Sequence, residues 1–122
     1  DRSSRRRMLE SVPCLNPEVR WETLESGELL AVYKRHDSGL RRVLRKLFPK
    51  PETAQVMLDD VGTRVVQAID GRRTVRELIS RMADDLRISR KEFELSVITF
   101  LEMLAKRRLI GFSISRNQGE SG

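Results

Sequence analysis

A chain of 122 residues with 39% apolar and 34% charged residues suits one globular domain with one core. Its longest apolar runs are only a few residues, which excludes a membrane-spanning helix, and a single cysteine, Cys14, excludes an internal disulfide. The net charge of +6 is concentrated: residues 34–50 carry seven basic residues against Asp37 alone, while the remainder of the chain is close to balance.

Residues 1–17 are polar, Arg-rich and interrupted by Pro13 and Pro17, and read as a flexible arm. Two strand-like stretches follow, one through Val19, Trp21 and Leu24 and one over Leu29 to Tyr33. Ser26-Gly27 between them supplies turn chemistry for a hairpin. In the basic segment, Leu40, Val43, Leu44, Leu47 and Phe48 recur at helical spacing. The spacing predicts an amphipathic helix over 39–48 whose stripe docks on the domain while Arg41, Arg42, Arg45 and Lys46 face outward, available to an acidic partner, a membrane surface or nucleic acid, the acidic partner being the expectation. Pro49-Lys50-Pro51 ends it, because proline lacks the donor and restricts its neighbour.

Thr53 to Leu58 reads as a third strand, with Ala54, Val56 and Leu58 on one face and Thr53, Gln55 and Met57 on the other. Asp59-Asp60 is an N-cap candidate for a helix striped by Val61, Val65, Ala68 and Ile69, with Gly71 placed to end it. Thr74-Val75-Arg76-Glu77 and Ser89-Arg90-Lys91-Glu92 are capping-box sequences that open two more helices. In the last of these, Phe93, Val97, Phe100, Leu101 and Leu104 form the core stripe. Residues 112–115 can add a brief extended segment, and 116–122 read as a loose tail. Strand, strand, inserted helix, strand and three helices fit an α+β domain with a small antiparallel sheet on a three-helix bundle.

No catalytic constellation emerges. His36 is the only histidine and sits in a turn-like Arg-His-Asp-Ser-Gly stretch; the seven glycines match no phosphate-binding spacing; no Cys/His cluster could hold zinc. The expectation is therefore a non-enzymatic cytoplasmic protein with no metal and no cofactor. What remains is binding, through the basic segment and through the strand at 53–58, whose unpaired edge would offer backbone donors and acceptors to an incoming chain.

Three stretches carry a resemblance: Gln55-Val56-Met57-Leu58-Asp59-Asp60-Val61-Gly62, then Ala68-Ile69-Asp70-Gly71-Arg72-Arg73-Thr74-Val75-Arg76-Glu77-Leu78-Ile79, and the closing Phe100-Leu101-Glu102-Met103-Leu104-Ala105-Lys106-Arg107-Arg108-Leu109-Ile110. Their order resembles the PqqD-like family of coenzyme PQQ synthesis protein D. The resemblance implies a winged helix-turn-helix-like fold over 18–115. It also implies an adaptor that captures the leader of a ribosomally made precursor peptide and presents it to a modifying enzyme such as a radical SAM protein. By the same resemblance the peptide would add as a strand to Thr53–Leu58 and lie against the last helix, residues 90–107. Contacts would come from Thr53, Gln55, Val56, Met57 and Leu58 and from Leu95, Ile98 and Met103, which lie outside the core stripe. The basic insertion and the Arg-rich arm depart from the family pattern.

The competing expectation is a winged-helix DNA-binding protein. Its reading helices would have to be 75–86, where Arg76 and Arg81 share the surface with Glu77, Asp84 and Asp85, or the last helix, where Glu92, Glu94 and Glu102 offset the cations. Neither is a basic reading head, so nucleic acid is the lesser expectation.

Overall fold

The computed structural model describes residues 2–34, 47 and 53–114. The elements are α1 (Arg2–Glu10), β1 (Ser11–Leu15), β2 (Arg20–Thr23), β3 (Leu29–Lys34), β4 (Thr53–Met57), α2 (Asp60–Ala68), α3 (Val75–Leu86), α4 (Arg90–Lys106) and β5 (Ile110–Ile114). They form an α+β fold with two antiparallel sheets, a pair β1-β5 and a three-stranded sheet in the order β2-β3-β4.

The β2–β3 hairpin forms where the turn residues stand. Gly27 takes φ of +94°, a conformation that costs glycine little, and the N–H groups of Gly27 and Leu24 donate to Leu24 O and Glu28 O at 2.8 Å each. Leu29 and Ala31 of β3 are buried. The hydroxyl of buried Thr63 in α2 accepts the Leu29 N–H at 3.0 Å, which fixes that helix to the sheet.

The helices start where their caps predict, with one exception. Asp59 accepts the Gly62 N–H at 2.7 Å, and Thr74 and Glu77 form a full capping box. Ser89 is the N-cap of α4 but its side chain makes no capping bond, so the second box is not built. α2 closes on extended Ile69 rather than on Gly71, which instead takes φ of +77° in the turn that follows. The core joins Val65 and Val66 of α2, Val75, Leu78 and Ile79 of α3, Leu101 and Leu104 of α4, and Leu109.

Residues 1–17 were expected from their composition to form a loose arm, but the described residues 2–17 are tied to the domain. Residues 2–10 are helical and α1 packs on α3, while β1 pairs with β5 from Ser11↔Ile114 to Leu15↔Ile110. Leu9, Val12 and Pro13 are buried, and Asn16 donates from Nδ2 to Arg108 O at 2.7 Å and from its N–H to Leu109 O at 3.0 Å. The apolar residues among the arginines bind this segment to the domain, since burying each large aliphatic side chain stabilises by about 1.5–3 kcal/mol. Pro13 is tolerated because a two-stranded ribbon leaves half its backbone groups unpaired.

The turn after α2 carries a pH-dependent contact. Asp70 Oδ1 accepts the N–H groups of Arg73 and Arg72 at 2.9 Å each, and the Arg73 guanidinium lies 3.6 Å from Oδ2. The Arg73 and then the Arg72 N–H hold the carboxyl below its ordinary value of 3.8. A depressed pKa stabilises the fold above the ordinary carboxylate value and stops doing so as pH falls through the lower folded value. Asp70→Asn should therefore lower the melting temperature modestly at neutral pH, and the gap from the parent should close in acid. A gap that stays constant from neutral to strongly acidic pH would show that ionisation contributes nothing.

Candidate functional site

β4 pairs with β3 alone, in the register Leu30↔Met57 to Lys34↔Thr53, so its other side is a sheet edge among the described residues. Which backbone groups face that edge follows from the alternation of antiparallel pairing. The Leu58 N–H donates to Leu29 O at 2.9 Å. Two-residue alternation then turns the groups of Val56 and Ala54 toward β3, and those of Thr53, Gln55 and Met57 outward. The neighbouring hairpin agrees: Leu24 N–H donates to Glu28 O, which directs Leu30 and Val32 toward β2 and leaves Leu29, Ala31 and Tyr33 for β4. The side chains alternate as expected, with Leu58 buried, Ala54 and Val56 half-buried, and Thr53, Gln55 and Met57 exposed.

A cleft lies beyond the end of the strand. At the end of β4, Asp59, Val61 and Gly62 face Phe93, Ser96, Val97 and Phe100 of α4 across a hollow of about 170 Å³. At the other end of the sheet, Arg107 donates from Nη1 to the Tyr33 hydroxyl at 3.2 Å, and Tyr33 stands opposite Ala54. These two attachments run α4 antiparallel to β4, with the cleft between α4 and the start of α2. Gly62 keeps that cleft open: a Cβ there would stand 3.0 Å from the Phe100 ring and 3.1 Å from Asp59 Oδ1.

The three α4 residues expected to contact the peptide fall, as helical periodicity places them, on different sides of the helix. At about 100° per residue, and taking buried Leu104 as zero, Phe100, Ser96 and Met103 fall about 40°, 80° and 100° to one side. Ile98 falls about 120° to the other side and Leu95 about 180° away. Met103 thus joins the cleft flank and is half-buried, Leu95 is 54% exposed to solvent, and Ile98 packs against the core on the opposite flank. Phe100, assigned by spacing to the core stripe, is only half-buried and forms a wall of the cleft. Val61, Ser96 and Phe100 are the site residues that periodicity misses. The signal available for them is Gly62, a glycine inside a helix whose place is explained by the close approach of another side chain.

The basic residues Arg41, Arg42, Arg45 and Lys46 lie outside the described residues, as does His36. Leu47 is helical and 69% exposed, and the rest of the helix expected over 39–48 lies outside the described residues. No helix among the described residues is long and apolar enough to cross a membrane.

The family described as Coenzyme PQQ synthesis protein D (PqqD) matches residues 49–110, just over half of the chain. The chain belongs to the PqqD family. No curated protein and no solved structure matches it. The PqqD match takes in β4 and all of α2, α3 and α4, so both the free edge and the far wall of the cleft lie inside it, whereas α1, β1 and the β2–β3 hairpin lie outside.

Proposed function

We propose that this chain is a non-catalytic, cytoplasmic adaptor with a winged helix-turn-helix-like arrangement of its sheet and helices α2 to α4. It captures the leader segment of a ribosomally made precursor peptide as a strand added to β4. It then presents that peptide to a modifying enzyme, with a radical SAM protein as the expected class. The observation that carries this reading is the outward backbone of Thr53, Gln55 and Met57 on a strand whose end leads to a cleft walled by Phe100. Backbone pairing along the edge supplies affinity and register, and the cleft supplies selection for an apolar side chain. Membership of the PqqD family supports the same role.

The Gln55 N–H is the central outward donor of the edge. Proline at that position removes the donor and sets a ring against the incoming strand, while an edge strand tolerates the substitution because no bond to β3 is lost. Gln55→Pro should weaken binding of a synthetic leader peptide by at least about tenfold, a loss of about 1.4 kcal/mol, with little change in melting temperature. The peptides to use are those encoded by short open reading frames beside this chain's gene, measured by calorimetry. Unchanged affinity for a peptide that the parent binds would remove strand addition at this edge.

A further inference from the structure

On the other flank of α4 lies a surface of different chemistry. Arg73, Arg76, Ser80, Arg81 and Arg90 line a hollow between α3 and the start of α4, and Arg90 hydrogen-bonds the Ser80 hydroxyl across it. Arg76 and Arg90 also line the adjoining hollow, where Leu9 of α1 joins them. The α1 helix packs on α3 and carries Arg5, Arg6 and Arg7, all exposed, in the turn before Leu9. Arg76 and Arg81 are exposed and have no ion-pair partner among the described residues. Glu77, which lines the same hollow, accepts the Thr74 N–H at 3.0 Å in the capping box.

We propose that this arginine surface, contributed by α1, α3 and the start of α4, docks an acidic segment of a protein partner. Guanidinium groups favour carboxylates because their planar fork matches both carboxylate oxygens. The neighbouring acids select the kind of polyanion. Asp84 and Glu94 stand within the same hollows, where they repel a continuous phosphate backbone, whereas a folded or extended protein can place its carboxylates between them. About 40° and 80° around α4 from Leu104, on the side opposite Phe100, Arg90 and Glu94 mark this surface as separate from the cleft. An acidic partner and a strand on β4 can therefore be held at once. The inference does not rest on the strand-addition reading.

The test is fluorescence anisotropy of a labelled hexaglutamate peptide at low salt, with mixed-sequence duplex DNA as the comparison. The parent should bind the peptide, and Arg76→Glu with Arg81→Glu should weaken it at least about tenfold. A control pair, Arg20→Glu with Lys106→Glu, makes the same change in net charge elsewhere and should leave binding within about twofold of the parent, since only diffuse attraction is lost. Gln55→Pro should also leave it unchanged, which separates failure here from failure at the β4 edge. Equal losses in both charge-reversed pairs would reduce the effect to net charge and overturn the proposal. So would undiminished peptide binding in the Arg76/Arg81 pair. Tighter binding of duplex DNA than of peptide, lost in that same pair, would assign the surface to nucleic acid instead. All four substituted residues are exposed, and circular dichroism checks that each variant is folded.

Discussion

A chain lacking residues 1–15 is expected to lose about 3–6 kcal/mol of stability from the burial of Leu9 and Val12 alone, at about 1.5–3 kcal/mol each. The deletion also takes away β1, the only partner β5 has among the described residues, and uncovers the part of α3 on which α1 packs. Small domains are stable by only about 5–15 kcal/mol, so the shortened chain should unfold at a much lower urea concentration or be unfolded without denaturant. A midpoint equal to that of the parent would restore the view of this segment as a loose arm. The distinction bears on function, because Arg5 to Arg7 form part of a surface only if α1 is held in place.

The second large effect is expected from filling the cleft. Ser96 is exposed and lines the hollow between α4 and the start of α2. Ser96→Trp should leave stability within about 0.5 kcal/mol, as for most surface substitutions. It should nonetheless weaken leader-peptide binding more than about tenfold by occupying the space an incoming side chain would use. Phe100→Ala acts in the reverse sense: it removes a half-buried ring that packs on the core and should cost about 1–3 kcal/mol of stability, while leaving the β4 edge intact. Calorimetric titration and thermal melts of both variants separate the two effects. If Ser96→Trp binds as the parent does, the peptide's side chains rest elsewhere.

The α2–α4 half of the fold was legible because its signals are local. Asp59 and the Thr74–Glu77 box act within one turn of the residues they cap, and the stripes of α3 and α4 repeat within single helices. The β2–β3 hairpin was legible for the same reason, through Gly27. The partnership of β1 with β5 was not. Ser11 to Leu15 carry too few β-formers to announce a strand, and their partners stand at the far end of the chain. Proline and a run of arginines then dominate any composition-based reading. At the site, β4 and the alternation of its faces followed from a period of two. Its cleft did not follow, because periodicity divides a helix into inside and outside and has no third class for a residue such as Phe100. That residue packs against the core and also lines a gap. The flanks of α4 were legible, since 100° per residue alone puts Ile98 on one side of the core stripe and Met103 on the other.

The most direct measurement is an amide chemical-shift titration of the isotopically labelled chain with leader peptides encoded beside its gene. Strand capture predicts the largest changes at the outward amides of Thr53, Gln55 and Met57, followed by Val61, Ser96 and Phe100 across the cleft, with the amides of Ala54 and Val56 shifting less. Changes confined to α3, with residues 53–58 silent, would contradict strand capture and move the binding site to the helical face.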